Sequence, residues 1–179
     1  MSWIMNLLGG KTPRLKQNGP ASLIIDARDD AERAIEHRAQ TPLDAPIERI
    51  AETLTTLSLT VEAMCSKPST ERLLRQLEGY RGNSGGISQQ ELEMRIAKNR
   101  AELAQAEEAI RVLIPALEAC SLSVSTPDDG NHHLSHLGRQ LNEKGGLELM
   151  KLVAYRCQAL GARLIYIESA WDGIGGWKC

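Results

Sequence analysis

The chain has 179 residues, of which 42% are hydrophobic and 25% charged, and these values are ordinary for one globular domain with a small appended element. A net charge of −2 excludes an overall electrostatic footprint for nucleic acid or an acidic membrane. The chain contains no Phe, so its core must be built from smaller aliphatic side chains, which favours helix-on-helix packing over a β-sandwich.

Hydropathy and cysteine usage bear on the compartment. The longest apolar run is far shorter than the roughly 20 residues that a membrane-spanning helix needs. The four cysteines are widely spaced and form no C-x-x-C motif, which indicates free thiols. We therefore expect a cytoplasmic protein, or a component of a particle made in the cytoplasm.

The first twenty residues form an apolar tip that is followed by basic residues. The tip residues that we assign to partner binding are Trp3, Ile4, Leu7 and Leu8, and the bases are Lys11, Arg14 and Lys16. Such a segment can lie on a membrane surface, but this tip is only about two turns long, and stable anchoring takes a longer helix or two signals. We therefore expect it to dock on its own domain or on a neighbouring subunit.

Residues 1–42 are predicted to hold this arm and one short helix. Residues 23–25 (LII) form a short apolar run that is typical of a strand. Asp26 is a suitable N-cap for a helix that runs to about Gln40, and a linker follows it.

Two long stretches with the spacing of packed helices dominate residues 43–121. Steps of three and four residues place each apolar set on one stripe, which must be buried against another helix, as in a coiled coil. The first stripe is Ile47, Ile50, Leu54, Leu57, Val61 and Met64, and the second is Leu92, Ile96, Leu103, Ala106, Ile110, Leu113 and Leu117. Residues 81–86 (RGNSGG) can reverse the chain between them. The sequence therefore predicts an antiparallel helical hairpin.

The polar side of the first helix is unusual, because hydroxyl residues replace the Lys and Glu of a solvated face. These residues are Thr53, Thr55, Thr56, Ser58 and Thr60. They are mediocre helix formers in water, so we expect this side to be partly covered by another helix or another chain. Pro68 is expected to interrupt or bend the helix, with a second short helix running to about Tyr80.

The second helix begins with a capping-box pattern formed by Ser88 and Glu91. Asn99 lies on its apolar stripe, where it either fixes the register of the hairpin or is a satisfied polar residue near the open end. Pro115 is expected to kink this helix without ending it, because Leu117 continues the stripe.

Residues 122–179 are predicted to form a C-terminal helical segment with a Trp- and Gly-rich tail. A short helix ends at residues 144–146 (KGG), and an apolar helix over residues 147–160 ends at Gly161, a natural residue after a helix. Residues 164–167 (LIYI) have the composition of a strand, so we expect at most one two-stranded element, formed with residues 23–25.

The tail carries aromatic residues at regular spacing. Trp171, Ile174 and Trp177 recur every three residues on a glycine-rich backbone. Such anchors either close the core of their own chain or plug a pocket on a partner. We favour the first arrangement, because exposed Trp is costly in a monomer, and we keep the three residues as candidate partner contacts.

A histidine cluster follows the turn before residue 131. His132, His133 and His136 lie within five residues, and His132 and His136 have zinc-ligand spacing on a helix. The spacing selects no third ligand elsewhere, and a polar helix start explains the cluster equally well. We therefore expect no metal and no cofactor, and these histidines remain candidate ligands.

No stretch of the sequence closely matches a catalytic or a nucleic-acid-binding motif. The glycine-rich residues 82–86 and 173–176 lack the flanking residues of a phosphate-binding loop, and no arrangement of Ser, His and Asp suggests a nucleophile. Two helices joined at residues 144–146 have the order of a helix-turn-helix, but the second offers only Lys151, Arg156 and Gln158 as base contacts.

We therefore expect a mainly α protein, an antiparallel and coiled-coil-like helical hairpin flanked by short helices. The function that fits best is a non-enzymatic structural, assembly or adaptor protein that acts through protein–protein contacts, forms homo-oligomers and belongs, for example, to a viral or phage particle. One alternative is a nucleic-acid-associated accessory protein that uses the N-terminal bases and the helices after Gly130. The other is a metal-binding protein built on the histidine cluster.

Overall fold

A computed structural model describes residues 33–35, 37, 43–80 and 86–178. Residue contacts divide the chain into residues 1–34, of which Arg33 and Ala34 are described and helical, and residues 35–179. The second unit contains the helices α1 (Ala45–Gly79), α2 (Gln89–Ala119), α3 (Pro127–Ala159) and α4 (Leu164–Trp171). None of these helices is both long and apolar enough to cross a membrane.

Helices α1 and α2 form the predicted antiparallel hairpin. Both apolar stripes have members that are almost completely buried, among them Leu54, Leu57, Val61, Leu92, Ile96 and Leu117. Two ion pairs cross the hairpin, from Lys67 Nζ to Glu107 Oε1 at 3.1 Å and from Arg100 Nη2 to Glu78 Oε1 at 2.6 Å. Residue numbers rise along one helix as they fall along the other, so the helices are antiparallel. The mainly α fold class with a helical hairpin is confirmed.

The buried apolar side chains form two separate clusters. The larger one joins the first half of α1 to Leu117 of α2, to α3, to α4 and to the C-terminal tail. The smaller one has Leu77, Leu92 and Ile96 as its buried members and belongs to the far end of the hairpin. We call residues 66–79 of α1 and 89–105 of α2 the hairpin arm, and the rest of the four helices the body.

Pro68 lies inside a continuous helix. Helix α1 runs through this position without a break, so the predicted second short helix before Tyr80 is wrong as a separate element. The Ser69 hydroxyl donates to the carbonyls of Cys65 and Ser66, at 3.3 and 3.2 Å. The carbonyl that loses its helical donor at Pro68 is that of Met64, four residues earlier, and the contacts with α2 on either side hold the helix in line.

Helix α2 begins and continues as predicted. The Ser88 hydroxyl accepts a hydrogen bond from the Glu91 N–H at 3.2 Å, which is one half of the predicted capping box. The Glu91 carboxylate instead accepts a hydrogen bond from Arg95 Nε at 2.8 Å. The helix passes through Pro115 without ending, and Leu117 stays buried.

The hydroxyl side of α1 is partly covered, as its composition predicts, and the cover comes from the chain itself, with Thr53 and Thr56 remaining partly exposed. Thr55, Ser58 and Thr60 are all buried. Thr55 and Thr60 donate to the carbonyls four residues earlier at 2.8 and 2.7 Å, and Ser58 donates to the carbonyl of Arg163 at 3.3 Å. Because every one of these hydroxyls has an acceptor, the face can be buried without the cost of an unpaired polar group.

Glycines break α3 and end it. Gly146 has φ 62° and ψ −160°, a conformation that interrupts the helix where the sequence predicts an end. After residue 160 the Gly161 N–H donates to the Gln158 carbonyl and the Ala162 N–H donates to the Cys157 carbonyl, both at 2.9 Å. This pair of bonds is a Schellman motif, and the φ of 98° at Gly161 is the left-handed conformation that it requires.

The predicted strand at residues 164–167 is wrong, because these residues begin α4. Ile167 and Trp171, four residues apart, are both fully buried, whereas Ile165 is exposed. Burial of one helical face outweighs the weak strand preference of Ile and Tyr, and no strand among the described residues offers an edge for pairing. Residues 23–25, the other half of the predicted two-stranded element, lie outside the described residues.

Burial along the two stripes is unequal, and this predicts unequal stability losses. Leu54 is fully buried in the body, whereas Leu103 of the arm is half-buried. We expect Leu54→Ala to lower the free energy of unfolding by about 2–5 kcal/mol, because it leaves a cavity in close packing. Leu103→Ala should cost clearly less. Urea unfolding followed by circular dichroism measures both, and equal losses would contradict the division into body and arm.

Candidate partner-binding surfaces

The tail residues Trp171 and Trp177 are packed into the body of their own chain. Trp171 is fully buried and Trp177 is 9% exposed. Their rings meet edge to face, with centroids 5.1 Å apart and planes at 89°. The Gly173 N–H donates to the Trp177 carbonyl at 3.1 Å, which closes the tail into a compact loop with Ile174 partly buried within it.

Helix α3 provides the seat for Trp171. The indole Nε1–H donates to the carbonyl of Leu134 at 2.9 Å, and the Ser135 hydroxyl donates to the carbonyl of Ala170 at 2.7 Å. Gly138 lies directly under the ring, and a Cβ at this position would be 2.5 Å from Cδ1 and Nε1 of Trp171. In this arrangement the tail closes the core of its own chain. A partner would reach the two indole rings only if the tail left α3.

A half-buried ion pair ties the start of α1 to the end of α3. Arg156 Nε donates to Glu48 Oε1 at 2.9 Å, and the guanidinium makes further hydrogen bonds to the same carboxylate. The Leu43 N–H also donates to Glu48 Oε2, at 3.3 Å. Hydrogen bonding from Arg156 lowers the pKa of Glu48, against the opposing effect of burial. The pair is a structural clamp between two helices that the sequence does not place together.

The candidate metal ligands are spread over the start of α3. His133 Nε2 lies 3.1 Å from the carbonyl oxygen of Ser123, and His136 Nε2 lies 3.1 Å from the Gln140 amide nitrogen. The ring of His132 contacts that of His133 edge to face, with centroids 6.1 Å apart. Within the described ranges, no three His, Cys, Asp or Glu side chains come together for a metal ion.

The described cysteines differ in environment. Cys157 is buried, its thiol donates to the Ala51 carbonyl at 3.4 Å, and burial raises its pKa to about 12. Cys65 and Cys120 are free and exposed, and partial burial raises the pKa of Cys65. A thiol held protonated in this way is a packing residue and a poor nucleophile.

An open groove of about 700 Å³ runs along the arm part of α1. The described residues that line it are Pro68, Ser69, Arg72, Arg75 and Gln76. All five are exposed, and Arg75 lies 3.9 Å from Glu71 of its own helix. Because no buried polar group among them points into the groove, we assign it no ligand.

Large apolar side chains remain exposed on the hairpin. Leu73 and Tyr80 at the α1 side and Met94 and Val112 on α2 are each about half exposed. Met94 and Val112 lie on the side of α2 that faces away from its buried stripe, which contains Leu92, Ile96 and Leu117. Sequence reasoning missed this second face, because its Ala, Lys, Gln and Glu residues resemble an ordinary solvated side.

The N-terminal candidates lie outside the described residues. They are Trp3, Ile4, Leu7 and Leu8 of the apolar tip and Lys11, Arg14 and Lys16 after it. Their assignment to partner binding or to nucleic acid stays a prediction from the sequence.

The described elements define a mainly α protein built on an antiparallel helical hairpin. Comparison with known protein families, curated proteins and solved structures finds no match to this chain.

The Glu48–Arg156 clamp predicts a specific dependence of stability on pH. The pKa of Glu48 is lower in the folded than in the unfolded state, so the unfolded state binds a proton first as the pH falls. The stabilisation is complete above about pH 4.3 and is lost as the pH falls toward the folded pKa. Glu48→Gln should reduce stability at pH 7 and flatten the acid part of the curve.

Unfolding free energies measured by urea titration between about pH 7 and pH 3 test this expectation. Lys151→Gln is the matched control, because Lys151 lies 3.9 Å from the exposed Glu148 and such surface pairs contribute little. If the unfolding free energy of Glu48→Gln falls with decreasing pH as steeply as that of the unmodified protein, the clamp is excluded.

The seat of Trp171 predicts that a methyl group at Gly138 is destabilising. Gly138→Ala should lower the unfolding free energy by about 1–3 kcal/mol, because the ring is fixed by its hydrogen bond to Leu134 and cannot move aside freely. Gly79→Ala is the control, since a Cβ there meets nothing within 4 Å, and it should be neutral or stabilising by up to about 1 kcal/mol. Trp fluorescence during unfolding reports both, and a neutral Gly138→Ala would show that the tail does not rest on α3.

Proposed function

We propose that this chain is a non-enzymatic structural or assembly protein that acts through protein–protein contacts and forms homo-oligomers by means of its hairpin. The observation that carries the proposal is the exposure of large apolar side chains, Leu73, Tyr80 and Met94, on the hairpin arm and at its tip. Burying such surface against another chain is favourable by about 25 cal/mol for each Å² removed from water. In this proposal these side chains belong to an interaction site, where apolar groups are gathered on the surface.

The small core of the arm supports the same proposal. Only Leu77, Leu92 and Ile96 are buried in its cluster, with Leu74 and Ile87 partly buried against them. A two-helix unit with so few buried side chains is marginal in water, because most helical stability comes from tertiary packing. Contact with a second chain would add packing to the arm.

Three side chains of reactive type form hydrogen bonds with the backbone, which favours a non-catalytic role. Ser58, Cys157 and His133 each direct their polar atom at a backbone carbonyl oxygen. Those bonds give the side chains structural positions in the body or at the start of α3. A repeating subunit of a cytoplasmically assembled particle, such as a viral or phage particle, would use a helical arm of this kind to join its neighbours.

Sedimentation velocity of the full chain from about 1 to about 100 µM tests the proposal. We expect concentration-dependent association in the micromolar range, because the exposed apolar surface is modest. Met94→Gln should weaken this association without lowering unfolding stability. Ile165→Gln is the control, because Ile165 is as exposed as Met94 but belongs to α4. A monomer at every concentration, or an oligomer that only Ile165→Gln weakens, would contradict the proposal.

A further inference from the structure

The outer face of α2 is a continuous exposed stripe, 94–112, on the side of the helix away from α1. Its exposed members are Met94, Ala97, Lys98, Ala101, Gln105, Glu108 and Val112, and Ala109 is half-buried beside them. Among the described elements, α2 packs extensively only with α1. The stripe is about 27 Å long at the rise of an α-helix. It therefore offers a helix-sized contact surface that no described element occupies.

The residues of this face are arranged symmetrically about Leu103. Met94 precedes it by nine positions and Val112 follows it by nine; Lys98 precedes it by five and Glu108 follows it by five. In an antiparallel pair of α2 helices the two-fold axis would cross the pair at the level of Leu103. Met94 then meets Val112 and Lys98 meets Glu108, and each contact occurs twice. A two-fold contact requires this self-complementarity, whereas a contact with an unrelated protein does not.

We propose that the outer face of α2 binds the same face of a second copy of this chain, antiparallel and centred near Leu103. This inference rests on the proposed function and specifies the surface and the orientation through which the chains associate.

The charges on α2 select the antiparallel orientation. On the outer face Lys98 lies toward the start of the helix and Glu108 toward its end. An antiparallel contact brings Lys98 of each helix to Glu108 of the other, whereas a parallel contact brings Lys98 to Lys98 and Glu108 to Glu108. In the single chain Lys98 pairs with Glu102 at 3.8 Å, and Arg111 pairs with Glu108. Both ion pairs are exposed and contribute little to stability, so replacing them by pairs with the second copy costs little.

The small residues of the face allow close approach. Ala97 and Ala101 lie between the larger side chains at the two ends, and helices with small residues at the contact can pack with their axes about 8 Å apart. Met94 and Val112 then close the ends of the contact with apolar side chains that are now exposed to water. The interface is short, so we expect reversible association.

Charge reversal tests the surface and its orientation together. Lys98→Glu places two glutamates opposite each other at both ends of the contact, and Glu108→Lys does the same with lysines. Each variant alone should dimerise about tenfold more weakly than the unmodified chain in sedimentation velocity at low salt. An equimolar mixture of the two variants should regain association, because in the mixed dimer both opposed pairs again have opposite charge.

Glu118→Lys is the matched control, because it makes the same charge change at an exposed position of α2 off this face, and it should leave dimerisation intact. Thermal unfolding followed by circular dichroism checks that all variants fold. A chain that is monomeric at every concentration defeats the proposed function itself. Association that persists unchanged in both single variants, or a mixture that associates no better than its components, leaves the proposed function standing and overturns this inference.

Discussion

The structure depends on the burial of α1 from two sides. Its apolar stripe packs in the hairpin and the body, where Leu54 and Leu57 are fully buried, and its hydroxyl side lies under the turn that follows α3. A helix covered on both sides has little room for charged side chains, which explains why Thr and Ser replace Lys and Glu between residues 53 and 60. The hydroxyls suit this position, because each finds a carbonyl acceptor.

The same helix connects the two parts of the hairpin. Helices α1 and α2 both run from the body into the arm without a break, so the arm is a continuation of helices anchored in the larger core. The outer face of α2 is thereby held in a fixed relation to the body. In the proposed antiparallel contact the two bodies lie at opposite ends of the paired α2 helices, since Leu117, the body end of α2, is far along the helix from Met94. Such a contact would hold the two bodies apart.

The hairpin could be predicted from the sequence because the three- and four-residue spacing extends over about five turns of the first helix and about seven turns of the second. The run at residues 164–167 is too short for periodicity to distinguish a strand from a helix, and packing on the body makes it helical.

The spacing of the tail tryptophans indicates anchors, but the place where they pack depends on Gly138, which lies more than thirty positions earlier in the chain. Asn99, whose amide donates to the Arg95 carbonyl at 2.9 Å, is satisfied within its own helix. The outer face of α2 is not predicted by the sequence pattern, because its Ala, Lys, Gln and Glu residues resemble an ordinary solvated side.

Native-state hydrogen exchange of the α1 amides tests most directly whether one helix serves both a large core and a small one. Amides of residues 51–63 should exchange only through global unfolding, because their side chains belong to the larger cluster. Amides of residues 70–79 should exchange through an opening of lower free energy, since three buried side chains hold the arm. Equal protection along the whole of α1, or faster exchange in residues 51–63, would contradict the account.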